Sequence, residues 1–238
     1  MSISASSPDL VADPLNSPFP IPWRWILDTH AAVVAGKHDG DELYRSPSLY
    51  DQKRHFSAYC RVRLQLKPEL YQSRVTSTLF VENLHSGMLS TVTATSPLAP
   101  HLFLKTTDEA TLGTIALLMP VAWSADGSKL LARQFEGYLG SGAMSDYGVI
   151  WDSQTEAAVT IAPAETAVDY THSILLGWSE NTPDQVLFQA GCMGEEDWQI
   201  WAVAQDGSTK LALADRAMAY GETSAPIWSG CSEKFKRA

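Results

Sequence analysis

A chain of 238 residues with 45% hydrophobic and 10% aromatic residues can bury a full core, which excludes disorder along its whole length. Its formal net charge of −10 repels phosphate backbones and anionic headgroups, so we expect neither nucleic acid nor a membrane surface as a partner. The three cysteines, Cys60, Cys192 and Cys231, lack CxxC spacing, which predicts free thiols in a reducing, cytoplasmic compartment.

The N-terminal residues are rich in Ser, Pro, Asp and Ala and show no hydrophobic period, which predicts a mobile tail over residues 1–20. We expect the folded domain to span residues 21–238. The tail lacks the basic and apolar regions of a secretory signal. No apolar run in the sequence approaches the roughly 18 residues that a membrane span requires.

The segment IPWRWILDTHAAVVAG predicts one short amphipathic helix, with Pro22 suited to a first helical position and Gly36 as a stop. The residues at helical spacing are Trp23, Ile26, His30 and Val33. An extended aromatic strand over WRWIL is the alternative. We expect the helix to cover an open sheet edge. Docking to another protein through Trp25 and Arg24 is the second interpretation.

Beyond residue 45 the hydrophobic period changes to two, which is typical of β-strands. HFSAYCRVRLQL predicts a strand, and VTSTLFVENLHSGMLSTVTAT predicts a hairpin that turns at Ser86-Gly87. Asp126-Gly127, between the apolar arms of VAWSADGSKLLARQFEG, is a strong hairpin signal. Further strands are predicted in LGTIALLMP, YGVIWDSQTEAAVTIAP, ILLGWS, DQVLFQAG and WQIWAVAQDGSTKLALA.

Tryptophans recur at nearly constant spacing along the predicted strands. Trp123, Trp178 and Trp228 each precede Ser, at separations of 55 and 50 residues, and Trp151 and Trp201 are 50 residues apart. The repetition predicts three structural units and the opening of a fourth. The three units lie near residues 46–95, 119–165 and 173–214. Because the same residue type recurs from unit to unit, we expect the indoles of Trp123, Trp178 and Trp228 to pack in the core, and a stacking surface for a sugar or peptide is the alternative.

These repeats resemble those of TolB-like and WD-type β-propellers over roughly residues 46–230. In those families W-S-x-D-G opens the inner hairpin of a blade, and I-W-x-x-D/N precedes the outer turn. VAWSADGSKLLA matches the first motif, whereas GWSENTPDQVLF has lost its Asp-Gly, and the Gly-His and Trp-Asp pairing of stricter WD repeats is missing. The resemblance implies four-stranded blades arranged radially around an axis.

Three units and a fragment are fewer than the four blades that a closed ring needs. The predicted fold class is therefore all-β, with about three propeller-like antiparallel blades and a short N-terminal helix. Three arrangements stay open: a partial propeller, an irregular sandwich of the same hairpins, or a homo-oligomer in which a second copy closes the sheet edge.

Two glycine-flanked stretches are candidate contact loops for a partner. Gly137–Gly148 is the most glycine-dense segment, and we predict a long, flexible loop with Asp146 and Tyr147 as contact residues. The second stretch is GCMGEEDWQ. Its candidate contact residues are Glu195, Glu196, Asp197 and Trp198.

The sequence contains no pattern that predicts a catalytic, cofactor-binding or metal-binding residue. The carboxylates of Glu195–Asp197 suit a hard cation such as calcium, but the D-x-D-x-D-G spacing is missing, so we predict a solvated turn. The six histidines are scattered, without HExxH or HxH spacing.

These observations predict a non-catalytic cytoplasmic scaffold or assembly factor that binds a protein partner through blade loops and an open sheet edge. Rigid strands would hold the loops and reduce the ordering cost of binding. A hydrolase with a site on the propeller axis is one alternative, and it would bring His and carboxylate side chains into one pocket. A sugar- or ligand-binding module is the other, and it would expose aromatic faces among Trp198, Trp201 and Tyr147.

Overall fold

The computed structural model describes residues 13–92 and 112–224 and has an all-β, propeller-like fold with one α-helix in the described part. The elements in chain order are α1 (Trp23–Val34), β1 (Asp41–Arg45), β2 (Leu49–Tyr50), β3 (Phe56–Gln65), a 3-10 turn (Leu70–Gln72), β4 (Arg74–Asn83), β5 (Leu89–Val92), β6 (Thr114–Trp123), β7 (Lys129–Tyr138), β8 (Met144–Asp152), β9 (Ala158–Ile161), β10 (His172–Ser179), β11 (Val186–Gly191), β12 (Gln199–Val203), β13 (Thr209–Leu211), β14 (Ala217–Met218) and β15 (Glu222–Thr223). Within these ranges, no helix has the length and apolar character needed to cross a membrane.

Three consecutive four-stranded units follow one another along the described chain. They are β2–β5, β6–β9 and β10–β13, and consecutive strands within each unit pair antiparallel. The predicted hairpin turns lie where expected, with Gly87 and Gly127 at φ +72° and +79°, a conformation that glycine adopts without strain. The prediction of propeller-like antiparallel units is confirmed.

The first two units are fused into one curled sheet. β4 and β6 pair in parallel, with Arg74–Thr76 against Thr114–Ala116. β3 divides its pairing, since it meets β2 near Ala58 and β1 over Arg61–Gln65. The third unit belongs to a separate five-stranded sheet. A backbone ladder thus connects strands of the first two units, whereas the described strands of the second and third units form no such ladder with each other.

Residues 217–224, which we name the strap, run past the first strand of every unit. β14 pairs with β10 at Trp178, and the Trp123 N–H donates to the Tyr220 carbonyl oxygen at 2.8 Å. β15 then pairs with β2 through Glu222 and Tyr50. The sequence predicts that a fourth unit begins near these residues. Instead, the strap pairs with the three units that precede it. The SAPIWSG motif with Trp228 lies almost entirely outside the described residues.

Trp123 and Trp178 lie in the core, as predicted, and so does Trp151, whereas Trp201 is half-buried. Trp123 and Trp178 are 0% and 1% exposed, and Trp151 is 4% exposed. The Trp123 ring stacks on Phe56 of the first unit at 5.8 Å and meets Trp151 edge-on at 6.4 Å. Trp178 packs with Leu131 and other residues of the second unit. The indoles thus join neighbouring units, and Trp228 lies outside the described residues.

The predicted helix is present, and the extended alternative for the same residues is wrong. It begins after Pro22 and is followed by Gly36 at φ +67°. Ile26 and Val33 are buried as expected, but Thr29 is buried where the sequence places His30. Both positions lie one turn from Ile26 and Val33, so helical spacing alone does not choose between them. The Thr29 hydroxyl donates to the Trp25 carbonyl oxygen at 2.8 Å, which satisfies it when buried. The His30 ring instead reaches the Pro68 carbonyl oxygen at 3.1 Å in an exposed contact.

Residues 13–20 are packed against the sheet, although the sequence assigns them to a mobile tail. The Asp13 carboxylate is buried and accepts backbone N–H bonds from Leu15, Ser17 and Ile21 at 3.0–3.3 Å. It also pairs with Arg133, which lies far along the chain. The composition of residues 1–20 does not indicate a pair between residues so far apart in the chain, which explains why the sequence predicts a mobile tail here. Residues 1–12 lie outside the described residues.

The turn between β6 and β7 provides a direct test of local turn chemistry. The Asp126 carboxylate accepts hydrogen bonds from the Ser124 hydroxyl at 2.6 Å and from the Ser128 backbone N–H at 3.0 Å. These bonds, the Ser124 hydroxyl first among them, lower the pKa of Asp126 to about 2. We expect Asp126→Asn to lower the melting temperature by about 3 °C near pH 7, measured by circular dichroism.

The pH dependence of this loss follows from the lowered pKa. The ionised turn stabilises the fold above the unfolded value of 3.8, and the contribution disappears as pH falls towards 2. The gap in melting temperature between wild type and Asp126→Asn should therefore close on acidification. Asp169→Asn, at an exposed carboxylate, is the matched control. A gap that persists at low pH would contradict this account.

Candidate partner-binding site

The glycine-dense segment 137–148 is mostly strand, so the prediction of a long, flexible loop is wrong. β7 continues to Tyr138 and β8 begins at Met144, which leaves only residues 139–143 as a turn. Two of the glycines allow close packing: a Cβ at Gly137 would lie 2.7 Å from the Ala143 carbonyl oxygen, and one at Gly148 would lie 3.1 Å from Phe188. Glycine density here reflects close approach and not mobility.

Asp146 is completely buried, which removes its side chain from the predicted contact residues. Its carboxylate pairs with the Arg133 Nε at 2.7 Å and accepts the Leu175 backbone N–H at 3.0 Å. Arg133 also contacts Asp13 at 2.6 Å. Burial raises the pKa of Asp146 to about 6 against the opposing charge of Arg133. Asp146 thus ties the third unit and the N-terminal segment to the second.

The two predicted contact stretches come together at one end of the second and third units. The His172 Nε2 lies 2.9 Å from the Gly142 carbonyl oxygen, and the His172 ring lies 6.1 Å from the Trp198 ring. The Met193 N–H donates to the Thr171 hydroxyl at 3.4 Å. We name residues 139–143 and 192–198 the two-loop surface. His172, which the sequence did not single out, connects its two halves.

The two-loop surface is exposed and acidic. Glu195, Glu196 and Asp197 are all exposed, as the predicted solvated turn requires, and Met193 is 66% exposed. The Glu195 carboxylate accepts the Cys192 N–H at 2.9 Å, which braces the loop from within. Across residues 13–92 and 112–224, no group of three or more His, Cys, Asp or Glu side chains is placed to hold a metal ion.

Trp198 and Trp201 are half-buried and do not form an open aromatic platform. The Trp198 indole N–H donates to the Cys192 carbonyl oxygen at 3.1 Å, and the ring packs so closely on Gly191 that a Cβ there would lie 2.6 Å from it. Trp201 lies on β12 with its indole nitrogen buried. Trp198 therefore supports the loop, and because Tyr147 is half-buried as well, none of the three rings named for the sugar-binding alternative presents a fully exposed face.

Trp25 packs on the protein's own sheet edge. Its indole N–H donates to the Glu42 carboxylate at 3.0 Å, and its ring lies 5.5 Å from that of Tyr44. Both partners belong to β1, the strand that pairs with Arg61–Gln65 of β3. Arg24 is exposed and pairs with Asp28. The contacts favour the interpretation that the helix covers a sheet edge.

A cavity of about 310 Å³ lies between the N-terminal segment, the first two units and the strap. The described residues that line it are 18–20, 46, 47, 49, 119–121 and 223. None of these is a His, Cys, Asp or Glu, and the lining is mainly apolar. The convergence of His and carboxylates that the hydrolase alternative requires is therefore missing from the described lining.

Charge is distributed very unevenly along the chain. Residues 134–209 contain 12 of the 27 acidic residues and none of the 17 Lys and Arg, which gives this segment a formal charge of −12. The rest of the chain holds all 17 basic and the other 15 acidic residues and carries +2. The segment spans the second half of β7 and all of β8–β12, so the second and third units carry the negative charge of the protein.

No family model and no curated protein matches the sequence. Among solved structures, the chain is similar to Pyrococcus horikoshii acylaminoacyl peptidase, at 14% identity and a TM-score of 0.36 over 72% of this chain and 25% of that chain. It is also similar to an acylaminoacyl peptidase in complex with Z-Gly-Gly-Phe-chloromethyl ketone, at 13% identity and a TM-score of 0.28 over 72% and 32% of the two chains. The chain thus spans a quarter to a third of these structures, and likenesses this weak carry no argument about its activity.

Proposed function

We propose that this chain is a non-catalytic, cytoplasmic scaffold that binds a protein partner through the two-loop surface. The observation that carries the proposal is the joining of residues 139–143 and 192–198, which come from different units, through His172. A further part of the proposal is that the units are TolB-like repeats, on the strength of VAWSADGSKLLA.

Rigidity of the two-loop surface favours binding. Its turn connects two long paired strands, and its second loop is braced by Glu195 and Trp198 bonds to Cys192. Loops that are already ordered lose little conformational entropy when a partner binds. Met193, exposed next to the acidic turn of Glu195–Asp197, supplies an apolar anchor of the kind that adapts to varied partner surfaces.

The hydrolase alternative is not better supported than a binding role. The described lining of the cavity beside the strap contains hydroxyls from Ser46 and Thr223 but no group that acts as a general base at neutral pH. His172, whose ring nitrogens bond Thr171 and Gly142, belongs to the two-loop surface and not to this cavity.

Partner retention from native lysate tests the proposal with two matched double variants. Met193→Ser with Glu196→Lys alters the two-loop surface, whereas Met88→Ser with Glu69→Lys makes the same changes at exposed positions of the first unit. We expect wild type and the first-unit variant to retain the same protein, and the two-loop variant to lose it by about tenfold. Equal retention by all three forms, or no retained protein, would contradict the proposal.

A further inference from the structure

Five side chains beside the two-loop surface form a second polar group, which we name the Tyr-Glu cluster. On the paired strands β7 and β8, Gln134 lies opposite Tyr147, and Glu136 lies opposite Ser145. The connection after β9 adds residues from the same acidic segment. The members of the cluster are Gln134, Glu136, Tyr147, Glu165 and Tyr170.

The base of the cluster contains two buried acceptors without donors. Glu136 and Gln134 are 2% and 4% exposed, and the Gln134 amide donates to one Glu136 carboxylate oxygen. The other Glu136 oxygen and the Gln134 amide oxygen find no hydrogen-bond partner among the described residues. Buried acceptors are nearly always paired, so each unpaired one calls for a donor that the described chain does not supply.

Tyr147 lies beside these acceptors on the same face of the sheet, and Tyr170 lies close to Tyr147. Tyr147 and Tyr170 are half-buried, and the Tyr170 hydroxyl donates to the Pro163 carbonyl oxygen at 2.9 Å, which fixes its ring. Burial raises the pKa of the Tyr147 hydroxyl to about 12. The charges of Glu136, Tyr170 and Glu165 add to that shift, so all three lie close to Tyr147.

The missing donor is best matched by a long cationic side chain. Residues 134–209 contain no Lys or Arg, and no residue of the described chain donates to the free oxygens of Glu136 and Gln134. A carboxylate beside the Tyr147 ring, with the Tyr170 ring close to it, offers both a charged hydrogen bond and a cation–π contact. The described residues place no three-ligand group here, which disfavours a metal ion. The unpaired oxygens of Glu136 and Gln134 are buried, whereas the two tyrosine rings are partly exposed. A cationic group therefore needs a long aliphatic side chain to pass the rings and reach these oxygens.

We propose that the Tyr-Glu cluster binds the ammonium or guanidinium group of a Lys or Arg side chain on the protein partner. The identity of that carrier as a protein rests on the proposed function. The surrounding charge of −12 attracts a basic segment, and the cluster receives one of its cations in a defined place. The two-loop surface then contacts the residues that flank it.

Binding of a short labelled peptide with lysines spaced by Ser and Gly tests this site by fluorescence anisotropy. We expect Glu136→Gln and Tyr170→Leu each to weaken binding by about tenfold, since each removes one of the two contacts. Glu69→Gln and Tyr71→Leu, at exposed positions of the first unit, are the matched controls and should bind as wild type does. The same peptide with acetylated lysines should not bind.

Two results would overturn the site. Equal binding by wild type, Glu136→Gln and Tyr170→Leu would mean that the peptide senses only overall charge. Saturable calcium binding that depends on Glu136 would make the cluster a metal site instead. Because Glu136 is buried, circular dichroism checks that Glu136→Gln folds, and Tyr170→Leu on the connecting segment gives an independent reading.

The peptide assay tests the Tyr-Glu cluster and the lysate assay tests the proposed function, so one proposal can be contradicted while the other stands. If Met193→Ser with Glu196→Lys loses the partner but Glu136→Gln and Tyr170→Leu retain it fully, the Tyr-Glu cluster is excluded and the proposed function stands. If no protein is retained by any form, the proposed function fails, and the peptide result alone decides whether the cluster binds a cation.

Discussion

Replacing Arg133 by Met is expected to lower the free energy of unfolding by about 3–5 kcal/mol. The guanidinium is 0% exposed and contacts two carboxylates, Asp13 at 2.6 Å and Asp146 at 2.7 Å, which are 2% and 0% exposed. Methionine fills a similar volume but leaves both acids buried without a cation. Urea denaturation followed by tryptophan fluorescence measures the loss.

Two comparisons separate this effect from a simple loss of charge. Arg63→Met breaks an exposed pair with Asp41 and should change the free energy of unfolding by less than about 0.5 kcal/mol. Adding Asp13→Asn and Asp146→Asn to Arg133→Met should recover part of the loss, because no buried charge then lacks a partner. A loss at Arg133 no larger than that at Arg63 would show that the buried pairs do not hold the N-terminal segment.

The repeated units could be predicted because their signals are local. An Asp-Gly turn between apolar arms specifies a hairpin over about ten residues, and the recurrence of Trp123 and Trp178 sets the length of a unit. The strap could not be predicted in this way. It meets the first strands through backbone hydrogen bonds at Trp178, Trp123 and Tyr50, and such bonds place few demands on side chains.

The candidate site was predictable in part for the same reason. The acidic turn at Glu195–Asp197 is exposed as its composition indicates. The prediction that Asp146 is an exposed contact residue was wrong because the sequence cannot distinguish glycines that allow close packing from glycines that make a loop mobile. The buried contact of Asp146 with Arg133 appears only in the structure. The lack of Lys and Arg in residues 134–209 is visible in the sequence, but the proximity of Glu136 to Tyr147 depends on the register of β7 and β8.

The packing of neighbouring units depends most on Trp123, and Trp123→Ala is expected to lower the free energy of unfolding by about 3–5 kcal/mol. The fully buried ring stacks on Phe56 and meets Trp151, while its indole N–H donates to the Leu49 carbonyl oxygen at 3.2 Å. Truncation therefore opens a cavity between the first two units and leaves a buried carbonyl without its donor. Urea denaturation followed by circular dichroism measures the change.

Two further tryptophan variants show whether this loss comes from the junction between units. Trp123→Phe keeps an aromatic ring but removes the bond to Leu49, so we expect a smaller loss of about 1–2 kcal/mol. Trp25→Ala removes a half-buried indole that lies where α1 meets β1 and not between two units, and it too should cost less. If Trp123→Ala destabilised the chain no more than Trp25→Ala, the units would be held together by the β4–β6 ladder and the strap, and the stacked indoles would contribute little.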